Sequence, residues 1–476
     1  MPARTRFRLA VIAFACLAWR GACPVVAAPQ DVPRRVVSGE TARAVPAWLR
    51  QSVVYEIFPR TFSPEGTLNG VTRRLDDLRR LGIDVLWLMP IHPVGSVKAK
   101  GTWGSPYAVR DYFAVNPDYG APADLRRLVT EAHARGFKVI LDMVPNHTAW
   151  DSVLMKDPSF YTHRDGRIVP PVDDWADVAD LDYANPRLRA LMLDVFRYWI
   201  EEFDVDGYRC DVAFFVPTDF WEEVRAAVSR VKPDALLIAE AAEPELLVSA
   251  FDLDYAWPFH TALTDVLQGR RPATALAETW QLERARYPRG ALRMYFSDNH
   301  DERRAIARFG EGGALAASAI VFALDGVPML YNGMDAGDTT ESGAPALFER
   351  LPVFWQAAER RPQFPRFYQQ LIALRRQSPA LATGELDWPT ISEPDRVVAI
   401  RRLAASDEIL VIVNVSNRPW AGRVEVAGGA AWREVTPRLD VPAAAAPARA
   451  DIRFDRLTLD AWGVRILRRV DGDPRP

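Results

Sequence analysis

Four short segments in the middle of the chain end apolar runs on residues able to do acid–base chemistry. They read Val139-Ile-Leu-Asp-Met-Val-Pro-Asn-His147, Asp206-Gly-Tyr-Arg-Cys-Asp211, Leu236-Leu-Ile-Ala-Glu240 and Met294-Tyr-Phe-Ser-Asp-Asn-His-Asp301. Barrel enzymes keep their catalysts at the C-terminal ends of parallel strands. Several carboxylates sharing such a face suit chemistry on a neutral acetal. That chemistry needs a proton donor and a charge stabiliser, and neither a metal nor an organic cofactor.

Arg209 and Asp211 are two apart on an extended strand, so they point to one side. A guanidinium there favours an ionised Asp211, as a nucleophile requires. The same pair reads equally well as a buried salt bridge. Cys210, between them, faces the other way as a core residue. Glu240 ends the apolar run from Ala235 to Ala239. An acid partly desolvated there holds its proton nearer to neutrality; taken alone, a rim carboxylate capping the next helix is the plainer reading. Asp301 closes a dense polar run, Ser297 to Asp301. Of the six His in the chain, His92, His147 and His300 each follow an expected strand, and Asp142 precedes His147. No His-x-x-x-His spacing or Cys pair suggests a catalytic metal, and no Gly-rich loop suggests a nucleotide.

These residues need strands to carry them, and eight apolar runs qualify: Val53 to Phe58, Val85 to Met89, Lys138 to Met143, Gly207 to Val212, Leu236 to Glu240, Leu253 to Trp257, Leu292 to Ser297 and Val327 to Asn332. Most are unbroken rather than alternating, as in parallel strands covered on both faces. Helical spacing recurs between them, as at Val71 to Leu81, Pro122 to Arg135 and Pro186 to Glu202, with Pro122 and Pro186 placed for a first turn. Eight strand–helix units predict a (β/α)8 barrel, the TIM-barrel fold, over residues 51–382. Residues 147–181 carry turn signals without helical period and predict a short inserted subdomain beside the active face. After the helix at Phe364 to Arg376, strand patterns at Arg396 to Ile400, Ile409 to Val415, Ala421 to Val426 and Leu457 to Leu467 predict a C-terminal antiparallel β-sandwich over 383–470. The Ala- and Pro-rich stretch from Pro442 to Arg449 reads as a loop within it.

The first residues read as a leader. Arg4, Arg6 and Arg8 precede the apolar run Leu9 to Trp19, and Val25-Val-Ala27 offers a cleavage site. A signal peptide over 1–27, a short N-terminal segment over 28–50 and export to the periplasm or medium are expected. Removing four Arg takes the net charge from −3 to −7, which speaks against a nucleic-acid partner. Cys16 and Cys23 leave with the leader, and only Cys210 remains, so no disulfide is expected. No other segment reads as long and apolar enough to cross a membrane.

Taken together, the four segments resemble the motifs of the alpha-amylase family of glycoside hydrolases (family thirteen). Gly104-Ser-Pro-Tyr-Ala-Val-Arg-Asp-Tyr112 with Asn116-Pro-Asp-Tyr-Gly120, Ala179-Asp-Leu-Asp182 before Asn185-Pro186, and Pro328-Met-Leu-Tyr-Asn-Gly333 extend the likeness over nearly the whole chain after the leader. The resemblance implies a retaining hydrolase of α-glucosidic bonds. Asp211 would be nucleophile, Glu240 general acid/base and Asp301 the third carboxylate. Arg209 would support Asp211, His147 and His300 would hydrogen-bond the sugar in the cleavage subsite, Tyr107 would stack on it, and Asp142 would be structural. The substrate class implied is starch-like glucans or maltooligosaccharides. A cyclomaltodextrinase, an α-1,6-cleaving enzyme and a transglycosylase stay open, as does an inactive amylase-like binding protein, although all three carboxylates are present. Many members hold a structural calcium. Asn146 matches one of its ligands and Asp180 could match another, but the excursion after the third strand is short, and no cofactor is expected to be required. Met334-Asp335 stands where the family often has Gln-Glu. Oligomeric state is left open.

Overall fold

The computed structural model describes residues 35–426, 431–439 and 452–470. The expected leader at 1–27 and the expected loop from Pro442 to Arg449 lie outside these residues.

All eight expected barrel strands form, each trimmed at one or both ends except the third: β1 Val54–Ile57, β2 Val85–Leu88, β3 Lys138–Met143, β4 Gly207–Cys210, β5 Leu236–Ala239, β6 Leu253–Tyr255, β7 Arg293–Tyr295 and β8 Val327–Tyr331. Every neighbouring pair is parallel, and β1 pairs with both β2 and β8, which closes the barrel. The interior is packed with side chains that include Val54, Ile140, Ile238, Met294 and Met329. Leu49, on the short 3-10 turn Ala47–Gln51, joins this cluster and is fully buried. Helices such as Pro122–Ala134 and Pro186–Phe203 form the outer layer, each with Pro in its first turn. The expected helix from Val71 to Leu81 is instead two, Leu68–Thr72 and Leu75–Leu81, separated at Arg73 and Arg74.

By length and composition the segment Ala305–Ala323 could cross a membrane, but Gly310, at φ 73° and ψ 176°, breaks it into two helical pieces. Most of its residues are buried, and it packs against β8, the helix Gln363–Gln377 and the C-terminal sheet, so its apolar surface serves the core.

The C-terminal region carries a five-stranded antiparallel sheet: Glu385–Asp387, Val397–Ala404, Asp407–Asn414, Val464–Arg469 and Trp432–Glu434, in that spatial order. A two-stranded sheet of Trp420–Gly422 and Leu457–Leu459 covers it, and Leu410, Ile412, Trp420, Leu457 and Leu467 fill the space between. The run from Leu457 to Leu467, read as one strand, is two, and they belong to different sheets.

Between β3 and β4 the chain leaves the barrel. His147–Ala149 pairs antiparallel with Val178–Asp180, and a small hairpin of His163–Arg164 and Arg167–Ile168 lies between them.

Candidate active site

The chemistry gathers at the C-terminal ends of the strands, around one guanidinium. Arg209, next to the end of β4, is fully buried. Its Nη1 donates to Asp142 Oδ1 at 2.8 Å and to Asp211 Oδ1 at 2.9 Å. Its Nη2 lies 2.9 Å from Glu240 Oε2, close enough for an ion pair but not aligned as a hydrogen bond. Its Nε donates to the Tyr255 hydroxyl at 3.2 Å. One cation therefore joins three carboxyl groups borne at the ends of β3, β4 and β5.

The backbone makes this convergence. Gly207 begins β4 at φ 143°, and a Cβ there would stand 1.9 Å from the Leu236 carbonyl oxygen. Only glycine lets β4 run this close to β5. Asp206 fastens the lower end by accepting from the Val139 N–H at 2.8 Å and from Lys138 Nζ at 3.0 Å. At the upper end Val212, a β-branched residue, is forced to φ 36°. Such strain persists only where surrounding structure over-determines it, and it clusters at functional sites. Here it turns the Val212 N–H onto Glu240 Oε2 at 2.8 Å.

Burial is the largest influence on both Asp211 and Glu240, and it raises both above the ordinary carboxyl range. Arg209 pulls each back down, while neighbouring carboxylates add to the rise. For Glu240 this matches the expectation. For Asp211 the expected pull of Arg209 toward the ionised form is present, and burial, with the nearby carboxylates, works against it. Asp142 is likewise raised by burial, to about 6. It also accepts from the Trp87 indole at 3.2 Å and the Tyr107 hydroxyl at 3.1 Å.

The two site histidines differ in charge. Burial alone would lower His300, but the carboxylates of Asp301 and Glu56 override it and raise the ring to about 9. The contacts suit an imidazolium, which has two donors. Nδ1 meets Glu56, and Nε2 lies 2.7 Å from the Tyr107 hydroxyl and 3.3 Å from Asp301 Oδ2. The Tyr107 ring stacks on the His300 ring with centroids 5.3 Å apart. His147 is pushed down to about 4 by burial, so it is neutral at pH 7. Its Nε2 is 4.0 Å from Asp211 Oδ2.

The structure thus brings Tyr107, Asp142, His147, Arg209, Asp211, Glu240, His300 and Asp301 to one place. The Asp301 side chain is 28% exposed against 9% for Asp211 and 11% for Glu240, so the site opens over Asp301. Glu56, at the top of β1, is a residue the sequence reading missed. It is fully buried and its partner His300 lies far away in the chain. The one signal was an acid inside the apolar run from Val53 to Phe58.

Asn146 and Asp180 flank His147 at the edge of this cluster, Asp180 as its strand partner. The Asn146 amide is 3.2 Å from His147 Nδ1, and its main-chain oxygen accepts from the Leu181 N–H. Asp180 is raised to about 6 by burial. One carboxyl and one amide fall short of the six to eight oxygens calcium takes, and among the described residues no three His, Cys, Asp or Glu side chains converge as a metal site. Among the described residues this donor set does not fit the ion.

A closed parallel barrel with paired, desolvated carboxyls at its mouth defines a barrel enzyme of the glycosidase class. Comparison with known proteins narrows this. Residues 33–165 and 173–360 match the family model for the alpha amylase catalytic domain. Alpha-amylase MalA of Haloarcula japonica is 30% identical over 79% of this chain, and the chain spans 57% of that relative's length. The intracellular maltogenic amylase of Bacillus subtilis is also 30% identical, over 78% of this chain and 70% of its own. Among solved structures, an alpha-amylase from Lactobacillus plantarum superposes with a TM-score of 0.77 at 32% identity, covering 89% of this chain and all of the other. A maltogenic alpha-amylase from Thermotoga neapolitana reaches 0.79 at 29% identity, covering 89% and 99%. The chain belongs to the alpha-amylase family of glycoside hydrolases.

Proposed function

We propose that this hydrolase cleaves α-1,4-glucosidic bonds in maltooligosaccharides or starch-like glucans by double displacement with retention. The observation that carries the reading is the Arg209 guanidinium shared between Asp211 and Glu240. It gathers the two carboxyls about one cation, which supports the close pairing, ~5–5.5 Å, that a retaining mechanism uses. Asp211 attacks the anomeric carbon while Glu240 gives its proton to the departing glycosidic oxygen. Glu240, now ionised, takes a proton from water, which attacks the glycosyl–Asp211 ester and releases the sugar. The raised Glu240 supplies the first proton near neutrality. Positive charge developing on the sugar is met by Asp301, and its hydroxyls by His147 and His300, one neutral and one charged donor. Tyr107 packs on the ring. No cofactor is called for.

The test is the anomer released from maltotriose, followed by proton NMR. Retention in the wild-type enzyme is expected, Asp211→Asn should abolish turnover, and Glu240→Gln should lower kcat by about 10²–10⁴. Inverted product, or near-full activity of either variant, refutes the assignment.

We further propose export. It rests on the basic–apolar–small pattern of residues 1–27 alone. The Bacillus subtilis relative is named as intracellular. N-terminal sequencing of the protein from its native host should begin near Ala28; a retained Met1 in a cytosolic fraction overturns export.

A further inference from the structure

We propose that the barrel mouth is walled on the side that receives the non-reducing part of the substrate, so that the enzyme removes short products from the non-reducing end of linear glucans. The inference rests on the reading of Glu240 as the acid. A general acid stands beside the oxygen that leaves, so the departing part of the chain lies over β5. The retained sugar and everything on its non-reducing side must extend the other way, toward the rim of β8, β1 and β2.

That rim is closed by a strap, residues 95–104, between β2 and Tyr107. Midway along, it is fastened to the insertion. Lys100 Nζ pairs with Asp177 Oδ1 at 2.8 Å and donates to the Asp174 carbonyl at 3.1 Å. Asp177 is buried and acts on the charge of His147, and Trp175 packs edge-on to the His147 ring at 5.6 Å. The fastening therefore lies beside the cleavage position. The residues directly after Lys100 meet the loop after β8. The Trp103 N–H donates to the Phe348 carbonyl at 2.9 Å and the Thr102 N–H to Glu349 Oε1 at 3.0 Å. Contact is so close that a Cβ on Gly101 would stand 2.5 Å from Phe348 Cβ. Buried Arg60, just after β1, clamps both segments by donating to the carbonyls of Gly104 and Leu347 at 2.9 and 3.1 Å.

Insertion, strap and β8 loop thus form one continuous wall, and Tyr107 and His300 stand at its foot. A linear chain can reach the carboxyls only with a free end against this wall. A cyclic glucan has no such end.

The experiment is the initial product pattern from maltoheptaose carrying a fluorophore at its reducing end. Labelled fragments shortened by one or two units should dominate from the first time points, and unlabelled maltoheptaose should be consumed several-fold faster than β-cyclodextrin. Lys100→Ala unfastens the wall at a partly exposed residue outside the catalytic set. It should keep wild-type melting and raise the share of deeper cuts several-fold. Short labelled fragments from the outset in the wild type, preference for β-cyclodextrin, or an unchanged pattern in Lys100→Ala would overturn the wall while leaving the hydrolase intact. Absence of hydrolysis of every maltooligosaccharide would overturn the function and the wall together.

Discussion

Glu56→Gln tests how the site keeps one histidine charged. Burial should depress His300, yet Asp301 and Glu56 lift it from 6.5 to about 9. That difference of about 2.5 units, at ~1.4 kcal/mol per unit, makes the charged ring worth on the order of 3 kcal/mol to the folded state. The contribution is fully present below pH 6.5 and is lost as pH rises through about 9, because the folded value lies above the unfolded one. Glu56 acts by charge and by a hydrogen bond, and Asp301 by charge. Gln keeps the shape and an accepting oxygen but loses the charge. We expect the His300 midpoint to fall, with a stability loss of about 1.4 kcal/mol per unit of that fall, full below pH 6.5 and fading as pH rises towards 9. Ring-labelled histidine NMR reads the midpoint, with the His300 signal identified by its loss in His300→Asn, and urea unfolding across the same pH range reads the stability. A His300 midpoint that stays put or rises in Glu56→Gln refutes the argument.

Two further outcomes follow from the packing and the donor sets. Leu49→Ala opens a hole at the floor of the barrel interior, and a fully buried Leu of this kind should cost about 2–5 kcal/mol in urea unfolding; a loss under ~1 kcal/mol would mean the floor collapses around the gap. Strong chelation should leave both melting temperature and maltotriose turnover unchanged, since Asn146 and Asp180 do not assemble a calcium donor set; a clear drop in either would restore the ion.

The barrel was legible because its strands are covered on both faces, so each leaves an unbroken apolar run, and because Asp211, Glu240 and Asp301 each end such a run or follow one closely. Periodicity located the elements but not their breaks. Nothing in the run from Val71 to Leu81 marks the separation at Arg73 and Arg74, and the run from Leu457 to Leu467 hides a change of sheet. Residues whose roles are long-range were harder. Glu56 has meaning only through His300, and the strap around Lys100 only through Asp177 and Phe348. The charge balance at Asp211 also escaped local reading. Spacing on β4 predicts Arg209 beside Asp211, but not that Asp142 and Glu240 claim the same guanidinium.

That shared guanidinium makes the acids a collective. Because Asp142, Asp211 and Glu240 all lean on Arg209, a proton gained by one redistributes the attraction available to the others. Protons leave such a cluster in steps that belong to the ensemble and not to single side chains. The limbs of any pH–rate profile for this enzyme are therefore properties of the four residues jointly. Energies of substitutions within the set will not add, since each removes a member of the same electrostatic unit.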